Sequence, residues 1–400
     1  MRILHTSDWH LGSRLYGQYD RTEELFNQVE SICQLTTTHK VDVLLVAGDI
    51  FVRSSPELTK RLAKVLSPYV QNGLHVILVP GNHDNHPNRE HFHMMQALLT
   101  LEQGKSARVQ IIQTRSIITI KGVQFAIIPY PNRELLEPYR SDATGKTERN
   151  VVLSSAYANL VRSVIDALDP SIPAVFVAHI NVAGVTTPSE RELGYDEDIR
   201  LGKVDLPLTS NLAYIALGHI HQQQSIKHPI PCWYSGNIER LDMGERNDLK
   251  GVLLVDIPEN GVATVTTWEQ DATLKLDTAS FYDITILATD LENLPNLYPD
   301  LENAFVKICL ELEPEDDSVF LQRQVRDLAC KFNFRLLDVS FSGQGLSRTT
   351  TDLPNRPQDY AGTVLGYLKN KYAAQPEFLT ELEKRTLELI HEVNNALTTD

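Results

Sequence analysis

VDVLLVAGD, residues 41–49, is an almost continuously apolar run that stops at a glycine followed by an acid. A short β-branched run of this kind suits a strand buried on both faces. HVILVPGNHD, residues 75–84, has the same form and also ends in a glycine and polar residues. Between the two, Leu58, Leu62, Val65, Leu66 and Tyr69 recur at helical spacing after Pro56, which predicts a helix from Glu57 to Gln71. The whole is a strand, helix, strand unit, right-handed by default.

Working outward, VQIIQT, SIITI, VQFAIIPY, AVFVAH, AYIALGH, CWYSG and GVLLVDI read as further strands, with a helix over roughly Val151 to Leu168. This alternation predicts an α/β layered core in residues 1–275. A second unit, 276–341, has FYDITIL, AFVKICLEL and FRLLDVSF as strands and a helix near Val319 to Phe332, a small α+β domain. Residues 342–359, rich in Gly, Ser, Thr and Pro, read as a flexible linker with a coil span of about 23 Å. Residues 360–400 read as two helices, the second with Leu379, Leu382, Leu389, Ile390 and Val393 on one side. An apolar face carried on a flexible linker must be buried somewhere, either back on the chain's own core or, as the favoured reading, against a partner in a helix-to-coiled-coil contact.

Composition limits the function. Apolar residues at 42% and charged residues at 22% describe a globular protein, with no apolar run of membrane-spanning length and no leader-like start. The expectation is a cytoplasmic protein. Cys33, Cys232, Cys309 and Cys330 show no metal-site spacing and read as plain thiols. The net charge of −15 argues at first against a nucleic-acid partner. Its distribution weakens the objection: residues 276–400 hold 21 acids and 11 bases, a balance of −10, leaving −5 for residues 1–275.

The chemistry gathers after the strands. The stretch DWHLG places Asp8 and His10 two apart, which on an extended chain means the same side. Asp49 follows in AGDIF, Asn82 and His83 in PGNHD, His179 in VAHIN, and His219 and His221 in GHIH. Open α/β sheets place their sites at the C-terminal strand ends. Singly, each of these is as well read as a turn, cap or surface residue. As an ordered set of O and N donors without sulfur, they fit two divalent ions, with Mn²⁺, Fe or Zn²⁺ favoured over Mg²⁺ or Ca²⁺. Ions so close need a bridging ligand, and the Asp49 carboxylate is the natural bridge. Asp8, His10 and one histidine of GHIH would complete one shell, and Asn82, His179 and the other histidine the second. His83 is placed to donate a proton to a leaving oxygen or to steady a charged phosphoryl group.

His86, His91 and His93 crowd the same neighbourhood, but His91 and His93 fall in a helix-like stretch where positions two apart diverge and do not easily share an ion. His5, His39, His75, His228 and His391 are single and read as core or surface residues.

The order DWH, GD, GNHD, AH, GHIH resembles the calcineurin-like metallophosphoesterase superfamily. The phrases HTSDWHLG, VAGDIF, YIALGHIH and YSGNIER are similar to its bacterial DNA-nuclease branch over almost the whole chain. The resemblance implies two facing β-sheets flanked by helices, a capping domain from about residue 276, and Mn²⁺-dependent cleavage of DNA phosphodiester bonds. It implies Asp8, His10, Asp49 and His221 on one metal, Asp49, Asn82, His179 and His219 on the other, and His83 as the catalytic histidine that binds no metal. It further implies an ATPase partner with a long coiled coil, gripped by residues 360–400, with two copies of each subunit. The implied work is exonuclease and endonuclease action on double-stranded ends, hairpins and blocked ends in DNA repair, recombination and replication, at the nucleoid. Relatives commonly carry an acid where this chain has Val52, so the orienter of His83 is open, with Asp84 or a backbone carbonyl as candidates. Arg14, Arg21, Arg53 and Arg89, in the metal-bearing loops, are candidates to meet phosphates. Two other readings use the same fold: a phosphoesterase for small molecules or phosphoproteins, and a non-catalytic scaffold, which should have lost ligands.

Overall fold

The structure is a computed structural model that describes residues 1–52, 55–85, 108–131, 146–185, 199–313, 316–343, 382 and 384–386. His86, Arg53, Arg89, His91, His93, His391 and nearly all of the expected linker and C-terminal helices lie outside the described residues.

The apolar runs of the sequence become strands β1 (Arg2–Thr6), β2 (Val43–Ala47), β3 (His75–Val79) and β4 (Val109–Ile111), mutually parallel. Next come β5 (Ser116–Ile120), β6 (Val123–Ile128), β7 (Ala174–His179), β8 (Leu212–Gly218), β9 (Gln224–Ile226) and β10 (Cys232–Tyr234). These build a second sheet in the order β9-β10-β8-β7-β6-β5. The chain then returns to the first sheet with β11 (Leu253–Asp256) and β12 (Thr264–Thr266), completing the order β12-β11-β1-β2-β3-β4.

The sheets face one another because both sides of their central strands are apolar. From β1 to β3, Ile3, Val43, Leu45, Ile77 and Val79 point to one side and meet Phe125, Ile127, Val175, Val177 and Ala216 of the second sheet. The alternate residues Leu4, Leu44, Val46, Val76 and Leu78 pack under helices α1 (Thr22–Thr38) and α2 (Pro56–Gln71). Across the molecule, Ala126, Ile128, Phe176 and Ala178 pack under α3 (Lys146–Ile165) through Tyr157, Leu160 and Val161. Period-two alternation therefore divides each buried strand between two apolar layers, and the result is helix, sheet, sheet, helix. This is the expected layered α/β class. Helix α2 begins at Ser55, whose side chain accepts the Leu58 N–H, with Pro56 in the first turn.

The C-terminal unit has three strands, β13 (Phe281–Leu287), β14 (Phe305–Leu312) and β15 (Arg335–Gly343), with α4 (Ser318–Lys331) crossing from β14 to β15. The elements follow the sequence expectation, and all three strands are parallel. It seats on the core through Leu15, Phe281 and Phe305, a Tyr19 hydroxyl that donates to Leu336 O at 2.8 Å, and an ion pair of Arg335 with Glu24.

His5, on β1, is fully buried with Nδ1 2.9 Å from the Tyr214 hydroxyl, and burial lowers its pKa from 6.5 to about 3. The folded protein thus holds His5 neutral while the unfolded chain protonates it below pH 6.5. Stability from this residue is complete above that pH and falls by about 1.4 kcal/mol per unit beneath it. Urea unfolding at pH 7.5 and pH 5 should give a gap about 2 kcal/mol smaller in His5→Gln than in the parent chain; equal gaps would refute the assignment.

Candidate metal centre

The eight singled-out residues meet at the C-terminal ends of both sheets. Asp8 and His10 follow β1, Asp49 follows β2, Asn82 and His83 follow β3, His179 ends β7, and His219 and His221 follow β8. The expectation that Asp8 and His10 share a side because the chain is extended needs correction. Strand β1 ends at Thr6, and Asp8 and His10 have φ of 53° and 47°, in the left-handed region. Asp49, at 51°, and His219, at 99°, are also at positive φ. Such backbone is costly for residues with a Cβ and persists where surrounding bonds enforce it. Here they do: Asp8 N donates to Gly48 O and His10 N to Asp49 O, each at 2.9 Å. Trp9, between them, is buried and donates to Thr6 Oγ1 at 3.0 Å, so its ring anchors the turn from beneath.

The side chains form a continuous set of contacts. His10 Nε2 lies 3.0 Å from His221 Nε2 and 3.9 Å from Asp8 Oδ1. Asn82 Oδ1 lies 3.0 Å from His179 Nε2 and 3.1 Å from His219 Nδ1. Asp49 stands between the groups, with Oδ2 3.8 Å from His10 Nε2, 3.4 Å from His179 Nε2 and 3.9 Å from His83 Nε2. Its other oxygen accepts the His83 N–H at 2.9 Å. Ligand atoms of Asp8, His10 and His221 lie within 4.8 Å of one another, as do those of Asp8, Asp49 and His179. Oxygen and nitrogen donors at these separations fit divalent metal, and no sulfur is among them.

Burial sharpens the electrostatics. It pushes His10 down to about 4, although Asp49 pulls the other way. Burial opposes the charged form of His179 as well, but Asp49 outweighs it and raises the imidazole to about 9. His221 rises to about 9 against the same cost because Glu245 lies beside it. His83 differs from the rest, with its side chain 45% exposed.

Asp84 does not orient His83. Its buried carboxylate accepts the backbone N–H groups of Ile50, Phe51 and Gly81 at 2.8 to 3.0 Å. Burial and then the Asp49 charge raise it to about 7. Its work is to tie the loop after β2 to the loop after β3, and Val52 brings no carboxylate in its place. Arg21 is likewise no phosphate contact. It is buried, donates to Arg240 O at 2.9 Å and lies 4.6 Å over the Phe305 ring. Arg14 is exposed. Sequence reasoning passed over Glu245, whose Oε1 lies 2.7 Å from His221 Nδ1. Tyr130 also escaped it, with a ring centroid 6.0 Å from that of His219.

The sequence profile of the calcineurin-like phosphoesterase family matches residues 1–223, and the chain belongs to that family. Within it, the chain is 27% identical over 318 residues to the SbcD component of nuclease SbcCD from Escherichia coli strain K12, covering 76% of this chain and 78% of that protein. The same figures hold for the corresponding protein of Escherichia coli O157:H7. Among solved structures, a dimetal phosphatase from Danio rerio aligns over 67% of this chain and 99% of its own, at 10% identity and a TM-score of 0.39.

The glycine before Asp49 is dictated by this geometry. A Cβ on Gly48 would lie 1.8 Å from His179 Nδ1, and the residue sits at φ 105°. Gly48→Ala should therefore lose at least about 2 kcal/mol of stability, from left-handed strain and overpacking together. Urea unfolding measures this, and an unchanged midpoint would contradict the close approach.

Proposed function

We propose that the chain is a divalent-metal-dependent nuclease that hydrolyses DNA phosphodiester bonds as the SbcD-like component of an SbcCD-like complex. The observation that carries this reading is Asp49, a single buried carboxylate within 4 Å of histidines from both donor groups. In this reading Asp8, His10, Asp49 and His221 hold one ion, and Asp49, Asn82, His179 and His219 hold the other. The donor set suits Mn²⁺, Fe or Zn²⁺, and similarity to SbcD supports Mn²⁺ among them. Bound there, two ions would supply a nucleophile at neutral pH and neutralise the phosphoryl charge.

The chain's own residues supply the rest. Asp49 accepts the His83 N–H and so fixes the start of the turn that presents the His83 ring to solvent, where a substrate arrives. From there His83 gives a proton to the leaving oxygen or steadies the phosphoryl group. The buried ligands exclude water behind the reacting atoms, since Asp8, His10, Asp49 and His179 expose almost no surface. His179 Nδ1 faces Ala47 O at 2.8 Å, which leaves Nε2 as the ligand atom.

Similarity to SbcD supports a partner resembling SbcC, an ATPase with a coiled coil, gripped by residues 360–400. It also supports double-stranded DNA ends and hairpins as substrates and a homodimer within a heterotetramer. Among the described residues no helix is long and apolar enough to cross a membrane.

His83→Ala should lower cleavage of end-labelled duplex by about 10²- to 10⁴-fold in kcat with Mn²⁺ binding retained; full activity in that variant would remove His83 from the mechanism. With its SbcC-like partner, Mn²⁺ and ATP, the full chain should cut duplex and hairpin DNA. Activity on a small phosphodiester alone, with or without partner, would favour the small-molecule reading instead. Deleting residues 358–400 should abolish co-purification with the partner while Mn²⁺ binding persists; a complex that survives the deletion would place the grip elsewhere.

A further inference from the structure

Glu245 lies 24 residues beyond His221, in the short helical turn Met243–Glu245, and is fully buried. A buried carboxylate is expensive unless its oxygens are all occupied, and these are. Oε1 faces His221 Nδ1 at 2.7 Å. Oε2 accepts from Asn237 Nδ2 at 2.9 Å and from Leu241 N at 3.3 Å, and pairs with Lys250 Nζ at 2.8 Å. Lys250, itself 2% exposed, also donates to His221 O at 3.3 Å. Side chain and backbone of His221 are thus both held by the same buried ion pair.

The two rings held through Nδ1 differ in what holds them. His179 faces a neutral backbone carbonyl, Ala47 O. His221 faces a carboxylate. A carboxylate fixes the tautomer with the proton on Nδ1, bares Nε2, and makes the imidazole a stronger donor to metal. Nε2 is the atom that stands 3.0 Å from His10 Nε2.

From this arrangement we infer that Glu245 is a positioning residue that acts through His221 and sets the affinity of one ion, the one held by Asp8, His10 and His221. The inference rests on the proposed metal centre. Glu245 touches neither substrate nor reacting atoms, and its effect is confined to that ion because its carboxylate contacts His221 and neither His179, which faces Ala47 O, nor Asn82.

The test uses the full chain, Mn²⁺ alone as probe, and two readouts: stoichiometry and affinity by isothermal titration, and the paramagnetic resonance signal that distinguishes a coupled ion pair from a single ion. In Glu245→Gln one ion should bind as in the parent and the other about 10- to 100-fold more weakly, with a single-ion signal at ion concentrations that give the parent a coupled pair. On a His221→Ala background the same change should have no further effect on ion affinity. Unchanged affinity for both ions in a folded Glu245→Gln protein, or equal weakening of both, would overturn the inference. Glu245→Gln removes the 2.8 Å charge partner of Lys250 and leaves only the longer charge contact with Asp248 at 3.4 Å, so Glu245→Gln with Lys250→Met serves as a counterpart should the single variant fail to fold, and is read by the same criteria. A parent chain that binds no pair of ions would sink the metal-centre reading itself, an outcome distinct from any of these.

Discussion

A carboxylate buried at the convergence of two sheets governs how this molecule is put together. Asp49 exposes almost none of its surface and has His10, His83 and His179 around it. Burial alone would keep such a group protonated, yet the surrounding imidazoles, His179 foremost, hold it well below the usual carboxylate range. Each of those histidines comes from a different strand end. The two sheets must therefore bring their C-terminal edges together for the charge to be met, and Gly48 and Gly81 leave room for it. A Cβ on Gly81 would lie 2.1 Å from Asp49 Oδ1.

The left-handed residues follow from the same requirement. Asp8, His10 and Asp49 leave their strands at once and turn their side chains toward a common centre, which an extended chain could not do within two residues. The strain is held by backbone bonds between the loop after β1 and the loop after β2. Asp84 adds the third loop by accepting from Ile50, Phe51 and Gly81. All three of these donors are backbone N–H groups, so its contribution is to loop shape.

Much of this was legible in the residues. Strands β2 and β3 announce themselves as β-branched runs with a glycine soon after, and the donors stand at strand ends in the order the fold needs. The rest depends on contacts far apart in the chain. Helix α1 has Arg21, a residue without a capping side chain, at its N-cap, so only Asp20 and the first-turn acids Glu23 and Glu24 mark its start. Arg21 reads as a surface base in a loop until Phe305 and Glu239, hundreds of residues on, enclose it. Glu245 is one acid among 52 acidic residues, and only the turn at Asp242 brings it under His221. The pairing of β11 with β1, by which the chain returns to its first sheet, is also invisible to local periodicity.

The same segment that reaches His221 also seats the C-terminal unit. Glu239 accepts from Ala279 N at 3.2 Å and lies 3.5 Å from Arg21, while Arg240 donates to Ala279 O at 2.9 Å. Arg240 O in turn accepts from Arg21, whose guanidinium covers Phe305 of β14. Next along the chain, Leu241 N joins the Glu245 carboxylate under His221. Moving the C-terminal unit away would leave Phe305 uncovered and Glu239 without the Ala279 N–H. It would also break the Tyr19 bond to Leu336 O and the ion pair of Arg335 with Glu24. The segment from Asn237 to Lys250 thus touches both the C-terminal unit, through Ala279, and His221, through Glu245.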